Sequence, residues 1–521
     1  MWTNQADERR PLVSPAQLDV AAVAAELGLD LAREEMRSVQ AGVDRNLALL
    51  GEFLADHAPS DPPSGSVRDG RRTRLLPAAD DDPLNAWLSR CSISGSGTGL
   101  LSGSTVSFKD TIAVAGVPLT CGVEEMDDYV AEFDATVVRR ALEEGATVVG
   151  KNTVLGGFGE VDAGHRPQNP HSPDHLTGGS SAGSAVAVVS GDVDVSFGGD
   201  QGGSIRIPAA WCGAVGMKPT FGLVSSFGVV SGADQSFDHV GPIARTVQDA
   251  AAALQAVAGY DPLDPRQGRD VPTNIDVLTQ LGDGISGLRI GLLDEGFVGV
   301  DEGVAYWVRT AAAVLGRAGA EVCKASVPQH LQVLAPCLAL DAESARFMRE
   351  AGPLGVASRT WYPPSLVEAL NRAWADHVAE AQKYSVLMGE ATRRAYRGRA
   401  YAVAQNARPA FVAAYDRAFE DFDLLLMPTT LFTAPLSAGP VRTFLDFPTV
   451  AHTLGLTNTL PFNYTGHPAL AIPCGTSDGL PVSFQLVGRM FDDGLLLRAG
   501  YAFQESVDFD AITAVASPDA G

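Results

Sequence analysis

Residues 178–226 read GGSSAGSAVAVVSGDVDVSFGGDQGGSIRIPAAWCGAVGMKPTFGLVSS, and this stretch decides what fold and chemistry to expect of the chain. Two serines in it, Ser180 and Ser204, stand 24 positions apart, each embedded among glycines. Upstream, VSFKDTIAVAG presents Lys109 at the end of a β-like run. A serine hydroxyl is a weak nucleophile until a base takes its proton, so a serine-dependent enzyme must show where that base is. No histidine lies inside the block, and Lys109 is the base on offer. To act it must be neutral, which requires burial or a cationic neighbour to bring it down from ~10.4. The pairing points toward amide hydrolysis.

Glycines around a serine let the backbone approach a substrate closely and take up conformations closed to other residues. In DQGGS the amides of Gln201, Gly202, Gly203 and Ser204 are expected to converge on one point just before a helix starting at Ile205. Convergent N–H groups at a helix start suit an oxyanion, and each such donor is worth on the order of 3 kcal/mol to a transition state. Ser204 is therefore placed to attack a carbonyl beside the hole that holds its oxygen.

Working outward, the 521 residues are 45% hydrophobic and 19% charged, an ordinary globular composition with room for a sizeable core. The net charge of −24 repels phosphate backbones and anionic membranes, so neither nucleic acid nor membrane is an expected partner. Six cysteines (Cys91, Cys121, Cys212, Cys323, Cys337 and Cys474) form no CxxC pair and read as reduced, mostly buried thiols. The N-terminus lacks an apolar signal core and no run reaches membrane-spanning length, so a cytoplasmic protein is expected.

Residues 14–56 carry two helical patterns, one capped by Ser14 and Pro15, the other spanning roughly 32–56 with Met36, Val39, Val43, Leu47, Leu50 and Phe53 on its apolar stripe. The segment APSDPPSGSVRDGRRTR then breaks all periodicity. Residues 1–75 are thus expected to form a helical extension, and 76–521 the main domain. From Leu101 the pattern alternates: STVSFKD, ATVVGK, LRIGLLD and EVCKASV read as strands, with helical runs between them. Residues 340–420 read as long helices, and DLLLMPT, ALAIP and PVSFQLVG return to strand. Such alternation argues for an α/β architecture with helices covering a sheet.

At this point the block GGSSAGSA…GGDQGGSIRIPAAWCGAVGMKP is similar to the signature of the amidase signature family, and VSFKD to its lysine motif. FDHVGPIARTVQDAAAALQAVAG and NYTGHPALAIPCG…GLPVSFQLVGR resemble its later segments, so the likeness spans roughly residues 85–505. The resemblance implies an α/β/α sandwich around a mixed sheet and a Ser–cisSer–Lys relay. Ser204 would be the acylated nucleophile, Ser180 the bridging serine after a cis peptide from Gly179, and Lys109 the base. Gly179, Ser181 and Asp200 would support them, with no metal or cofactor. Within the family the DQGGS variant and the helical N-terminus look most like bacterial enantioselective and aryl-amide amidases, in which that extension helps dimerisation; a homodimer acting on a small-molecule amide is expected. Where many members carry an acidic–aromatic segment after Lys151, this chain has NTVLGGFGEVD, so no substrate preference transfers.

Other motifs compete. GSSAG at 179–183 fits a nucleophile elbow centred on Ser181, but that leaves Lys109 and GGDQGGS without a role. GATVVGKN has the glycine–lysine skeleton of a phosphate loop, yet Asn152 stands where a hydroxyl should hold magnesium. His165, His171 and His175 with Asp162 and Asp174 could suggest metal, but read more simply as a solvated loop. Phe158, Trp211, Phe237 and Tyr464 are candidates for an acyl-pocket wall, set against ordinary core positions. The rival functions are a family hydrolase acting on carbamates, hydrazides or esters, a glutamine-hydrolysing amidotransferase subunit, and a catalytically silent binding protein.

Overall fold

The computed structural model describes residues 19–26, 29–56, 74–75, 81–123, 126, 129–155, 165–230, 234–351, 364–376, 380–437 and 455–515. Among these, twelve strands form one sheet: β1 (Arg74–Leu75), β2 (Trp87–Ser94), β3 (Thr105–Lys109), β4 (Thr147–Asn152), β5 (Val195–Asp200), β6 (Val215–Lys218), β7 (His239–Ala244), β8 (Arg289–Leu293), β9 (Glu321–Ala325), β10 (Leu424–Pro428), β11 (Ala469–Ser477) and β12 (Leu480–Val487). Their order is β1-β2-β4-β3-β5-β7-β6-β11-β12-β10-β8-β9. The sheet is mixed: β3 runs parallel to β4 and β5, whereas β5 and β7 are antiparallel.

Helices cover both faces, as the alternating sequence pattern requires. A large core cluster packs helices Thr136–Glu143, Val247–Val257, Glu302–Arg317 and Asp493–Gln504 against the sheet. Separate clusters form around helices Ala182–Val189 and Arg206–Cys212, and around Arg399–Asp421. No helix among the described residues is long and apolar enough to cross a membrane.

Five strands, β1, β2, β5, β6 and β7, escape the sequence reading; β1 falls at the end of the stretch expected to be a helical extension. The last three are buried at every position, so they lack the period-two alternation that marks a half-exposed strand. In β5, glycine also dilutes the β-forming residues, and the fold itself demands it. A Cβ on Gly198 would lie 2.6 Å from Ser181 Oγ, so only glycine lets the serine segment pass this close to the sheet.

In the N-terminal extension, helices Val20–Glu26 and Arg33–Asp56 pack on each other, and the Gln40 side chain accepts the Val20 amide at 3.2 Å. Ser14 and Pro15 lie outside the described residues. Val39, Leu50 and Phe53 of the expected apolar stripe are exposed, at 38%, 53% and 53%. Arg74 and Leu75, at the end of the extension, pair with β2 as the sheet's edge strand.

The centre of the sheet rests on Phe197, which is wholly buried and stacks on Phe108, the residue before Lys109, at 5.3 Å between centroids. Phe197→Ala should lower stability by about 3–5 kcal/mol, read as a drop in the denaturation midpoint; an unchanged midpoint would show that the stack contributes little.

Candidate active site

Because β3 and β5 are parallel neighbours, their C-terminal ends bring Lys109 and Asp200 to one edge of the sheet, and Ser204 follows Asp200 by four residues. This is where open α/β sheets bind ligands. The segment Gly178–Ser181 crosses the same edge, with a cis peptide between Gly179 and Ser180. Ser180 O accepts the Leu155 amide at 3.0 Å, and Ser181 N donates to Ser204 O at 3.2 Å, tying the two serine loops together. Ser181 Oγ donates to Gly199 O at 3.2 Å. Wholly buried and engaged in this way, Ser181 is a brace for the site and not an elbow nucleophile.

Lys109 Nζ donates to Ser180 Oγ at 2.6 Å and to Gly199 O at 3.5 Å. The side chain is only 3% exposed. Burial lowers its ammonium to about 8, against the opposing pull of Asp238 and Asp200. Asp110, the next residue along, pairs with Lys151: Lys151 Nζ donates to Asp110 Oδ1 at 2.8 Å inside the protein. Lys151 is therefore a buried ion-pair partner and holds no phosphate.

The DQGGS loop differs from expectation in one donor. The Gly203 amide donates to Asp200 Oδ1 at 2.8 Å and the Ile205 amide to Oδ2 at 3.1 Å. Asp200 turns back to cap its own loop, so the Gly203 amide, one of the four expected donors, is already taken. The helix begins at Arg206, with Ile205 at its N-cap. Gly203 sits at φ +135°, and a Cβ there would fall 2.3 Å from Thr459 Oγ1. That same hydroxyl donates to Gly202 O at 2.6 Å.

Burial alone would raise the Asp200 carboxyl, but the Arg206 guanidinium, reinforced by hydrogen bonds from Arg206 and Asn463, holds it well below the usual carboxylate range. Arg206 Nε reaches Oδ2 and Nη2 reaches Oδ1, both at 3.0 Å, in a pair with no solvent exposure. Asn463 Nδ2 adds a donor at 2.8 Å, while its Oδ1 accepts Arg206 Nη2 at 2.7 Å. Arg206, Thr459 and Asn463 are supporting residues that the sequence reading passed over. Arg206 lies in the quoted signature and Asn463 in NYTGHPALAIP, but nothing in the local pattern says that the two meet.

Of the proposed pocket walls, Phe158 lies outside the described residues. Trp211 is core: its indole donates to Thr430 Oγ1 at 3.2 Å and it packs with Ile207, Ala434 and Leu480. Phe237 and Tyr464 share a buried cluster that includes Leu460, with Leu456 packed against it. These two leucines flank Gly202: a Cβ there would lie 3.3 Å from Leu456 and 3.4 Å from Leu460. Phe237 and Tyr464 thus back the DQGGS loop. His171 contacts Cys212 O at 3.0 Å and His175 contacts Ser172 Oγ at 2.9 Å. Among the described residues no group of three or more His, Cys, Asp or Glu side chains is disposed to hold a metal; Asp162 lies outside them.

A family model described as Amidase matches residues 85–497. The chain is 36% identical over 476 residues to an enantioselective amidase of Rhodococcus rhodochrous, covering 88% of this chain and 89% of that one. The solved structure of a glutamyl-tRNA(Gln) amidotransferase subunit from Thermotoga maritima is similar with a TM-score of 0.67 and 30% identity, over 82% of this chain and 89% of that one. The structure of 6-aminohexanoate cyclic dimer hydrolase complexed with substrate is similar with a TM-score of 0.68 and 27% identity, covering 80% and 87% of the two chains.

Arg206→Met should cost about 3–5 kcal/mol, because it strands the Asp200 charge in the interior. The double variant Asp200→Leu/Arg206→Met should recover much of that loss in a denaturation series. If the single variant is as stable as the parent, the pair does not hold the loop.

Proposed function

The chain belongs to the amidase signature family, and from that premise we propose that it hydrolyses a carboxamide C–N bond to a carboxylic acid plus ammonia or an amine. The Lys109–Ser180 hydrogen bond of 2.6 Å carries this reading. With Lys109 neutral, the same contact lets Nζ accept the Ser180 proton as Ser180 takes that of Ser204. Ser204 Oγ then adds to the carbonyl carbon, and the amides of Gln201, Gly202 and Ser204 receive the oxyanion. As the intermediate collapses, the C–N bond breaks and the relayed proton goes to the departing nitrogen, since an amide anion is too basic to leave unprotonated. Water, deprotonated by the same relay, attacks the acyl-enzyme, releases the acid and restores Ser204. The chain's own residues supply each step, so the reading calls for no metal or cofactor.

The substrate is a small amide, and the set to rank by kcat/KM is anilides, benzamides, carbamates, hydrazides and esters. Likeness to an amidotransferase subunit supports a second reading, glutamine hydrolysis for a partner. The two separate on whether the purified chain turns over simple amides alone. We further propose that the exposed stripe of helix Arg33–Asp56 joins two copies in a cytoplasmic homodimer; removing residues 1–56 should then halve the mass measured by light scattering.

Ser204→Ala should abolish both turnover and covalent labelling by a fluorophosphonate, and full activity in that variant would overturn the mechanism. The sign of the pH effect follows from the base. Lys109 works only when neutral, so kcat/KM should rise through pH about 8 and level off above it. A rate independent of pH across that range would exclude Lys109 as the base.

A further inference from the structure

His330 lies in a short 3₁₀ turn, Pro328–Gln332, is 1% exposed, and has no part in the steps above. Its Nε2 stands 3.0 Å from Asn458 Oδ1, and its Nδ1 stands 2.8 Å from the Tyr415 hydroxyl on helix Arg399–Asp421. Asn458 and Tyr415 are wholly buried as well.

These partners fix where the ring carries its proton. Asn458 Nδ2 donates to Gly296 O and to Pro428 O, both at 2.8 Å. Carbonyls only accept, so the nitrogen end of this amide must face them and Oδ1 must face the histidine. Nε2 is then the protonated nitrogen. Burial draws the imidazole below its ordinary value, against opposing pulls from Asn458 and Glu295, so the ring is neutral and Nδ1 is bare. Glu295 is itself taken up by Ser326 Oγ at 2.6 Å and the Val327 amide at 2.9 Å. Nδ1 accepts from Tyr415, whose phenol burial keeps protonated. Only the Nε2–H tautomer satisfies all of these groups at once.

Asn458 is where this histidine meets the site. Its two carbonyl partners stand at the ends of neighbouring parallel strands, since Gly296 follows β8 and Pro428 closes β10. Its own carbonyl accepts Gln485 Nε2 at 2.7 Å, and Gln485 Oε1 accepts Arg206 Nη1 at 3.3 Å. The next residue, Thr459, holds Gly202 O at 2.6 Å. A shift of Asn458 therefore reaches the DQGGS loop by two routes, one through Thr459 and one through Arg206 and Asp200.

We propose that His330 is a positioning residue for the DQGGS loop: as its Nε2–H tautomer it fixes Asn458, and through Asn458 it holds the turn from which Ser204 projects. The catalytic meaning of this hold rests on the reading of Ser204 as nucleophile, whereas the hold itself can be measured without turnover.

Protein carrying ¹⁵N-histidine has nine rings to observe, and His330→Gln assigns the one that matters. That ring should be the neutral Nε2–H form at neutral pH; an Nδ1–H form or an imidazolium overturns the proposal. Loop anchoring is read by amide hydrogen exchange in the peptide spanning residues 200–206, with helix Val247–Val257 as the reference. In His330→Leu, exchange in the loop should quicken about tenfold over the reference, the scale expected when a buried hydrogen bond is lost and its partner left unpaired. His330→Gln places an amide nitrogen near the site of Nε2 and should stay within about threefold of the parent. An unchanged loop in His330→Leu, or equal quickening in both variants, overturns the proposal. If His330→Leu does not fold, Tyr415→Phe decides alone: it leaves Nδ1 without its donor, so the loop should quicken about threefold, and an unchanged rate overturns the proposal. With an amide substrate, kcat should fall about tenfold in His330→Leu while KM stays near that of the parent, because oxyanion donors act on the transition state. A quickened loop with unmoved kcat would instead sink the reading of DQGGS as the oxyanion loop, leaving the hold of His330 on it in place.

Discussion

The ion pair between Asp200 and Arg206 is the constraint on which the rest of the site depends. Both side chains are fully buried, and each is satisfied by groups from distant parts of the chain. Arg206 also reaches Gln485 Oε1 at 3.3 Å, Gln485 donates to Asn458 O, and Asn458 meets His330, whose other ring nitrogen contacts the Tyr415 hydroxyl. Buried ion pairs seldom add net stability over apolar residues of similar volume. What this one does is geometric. Asp200 takes up the Gly203 and Ile205 amides and so fixes the turn from which Ser204 projects.

Asp200 takes up the amides of Gly203 at 2.8 Å, Ile205 at 3.1 Å and Arg206 at 3.4 Å. A carboxylate that caps its own loop in this way holds the turn that carries Ser204 at the end of the sheet. Thr459 holds the same loop a second time, through Gly202 O.

The residues on which the chemistry is proposed were legible in the sequence because they lie in local motifs. Two glycine-embedded serines at fixed spacing and a lysine closing the β-like run STVSFKD announce themselves in linear order, and the 2.6 Å contact between Lys109 and Ser180 joins two residues that the family resemblance had paired. Strands with clear apolar runs, such as LRIGLLD and DLLLMPT, were legible for the same reason. β5, β6 and β7 were not, because full burial erases alternation and glycine or proline interrupts the apolar run in each. The withdrawal of Gly203 was invisible because it depends on which way the Asp200 carboxylate turns. Asn463 and Thr459 act through contacts between segments that no local pattern joins. The stretches expected to wall a substrate, such as 154–166 and 335–365, have neither a spacing nor a composition that specifies a shape.

The grip of Thr459 on Gly202 has a temporal side. The two residues are 257 positions apart, Asn463 reaches back 263 positions to Asp200, and Gln485 lies 279 positions beyond Arg206. During synthesis, both serines and the lysine leave the ribosome long before the segment that locks their loop. Contacts of such high sequence separation form late and carry a large closure entropy. A nascent or truncated chain therefore holds Lys109, Ser180 and Ser204 without the frame that aligns their loops, and that frame is completed only once Thr459, Asn463 and Gln485 have been made.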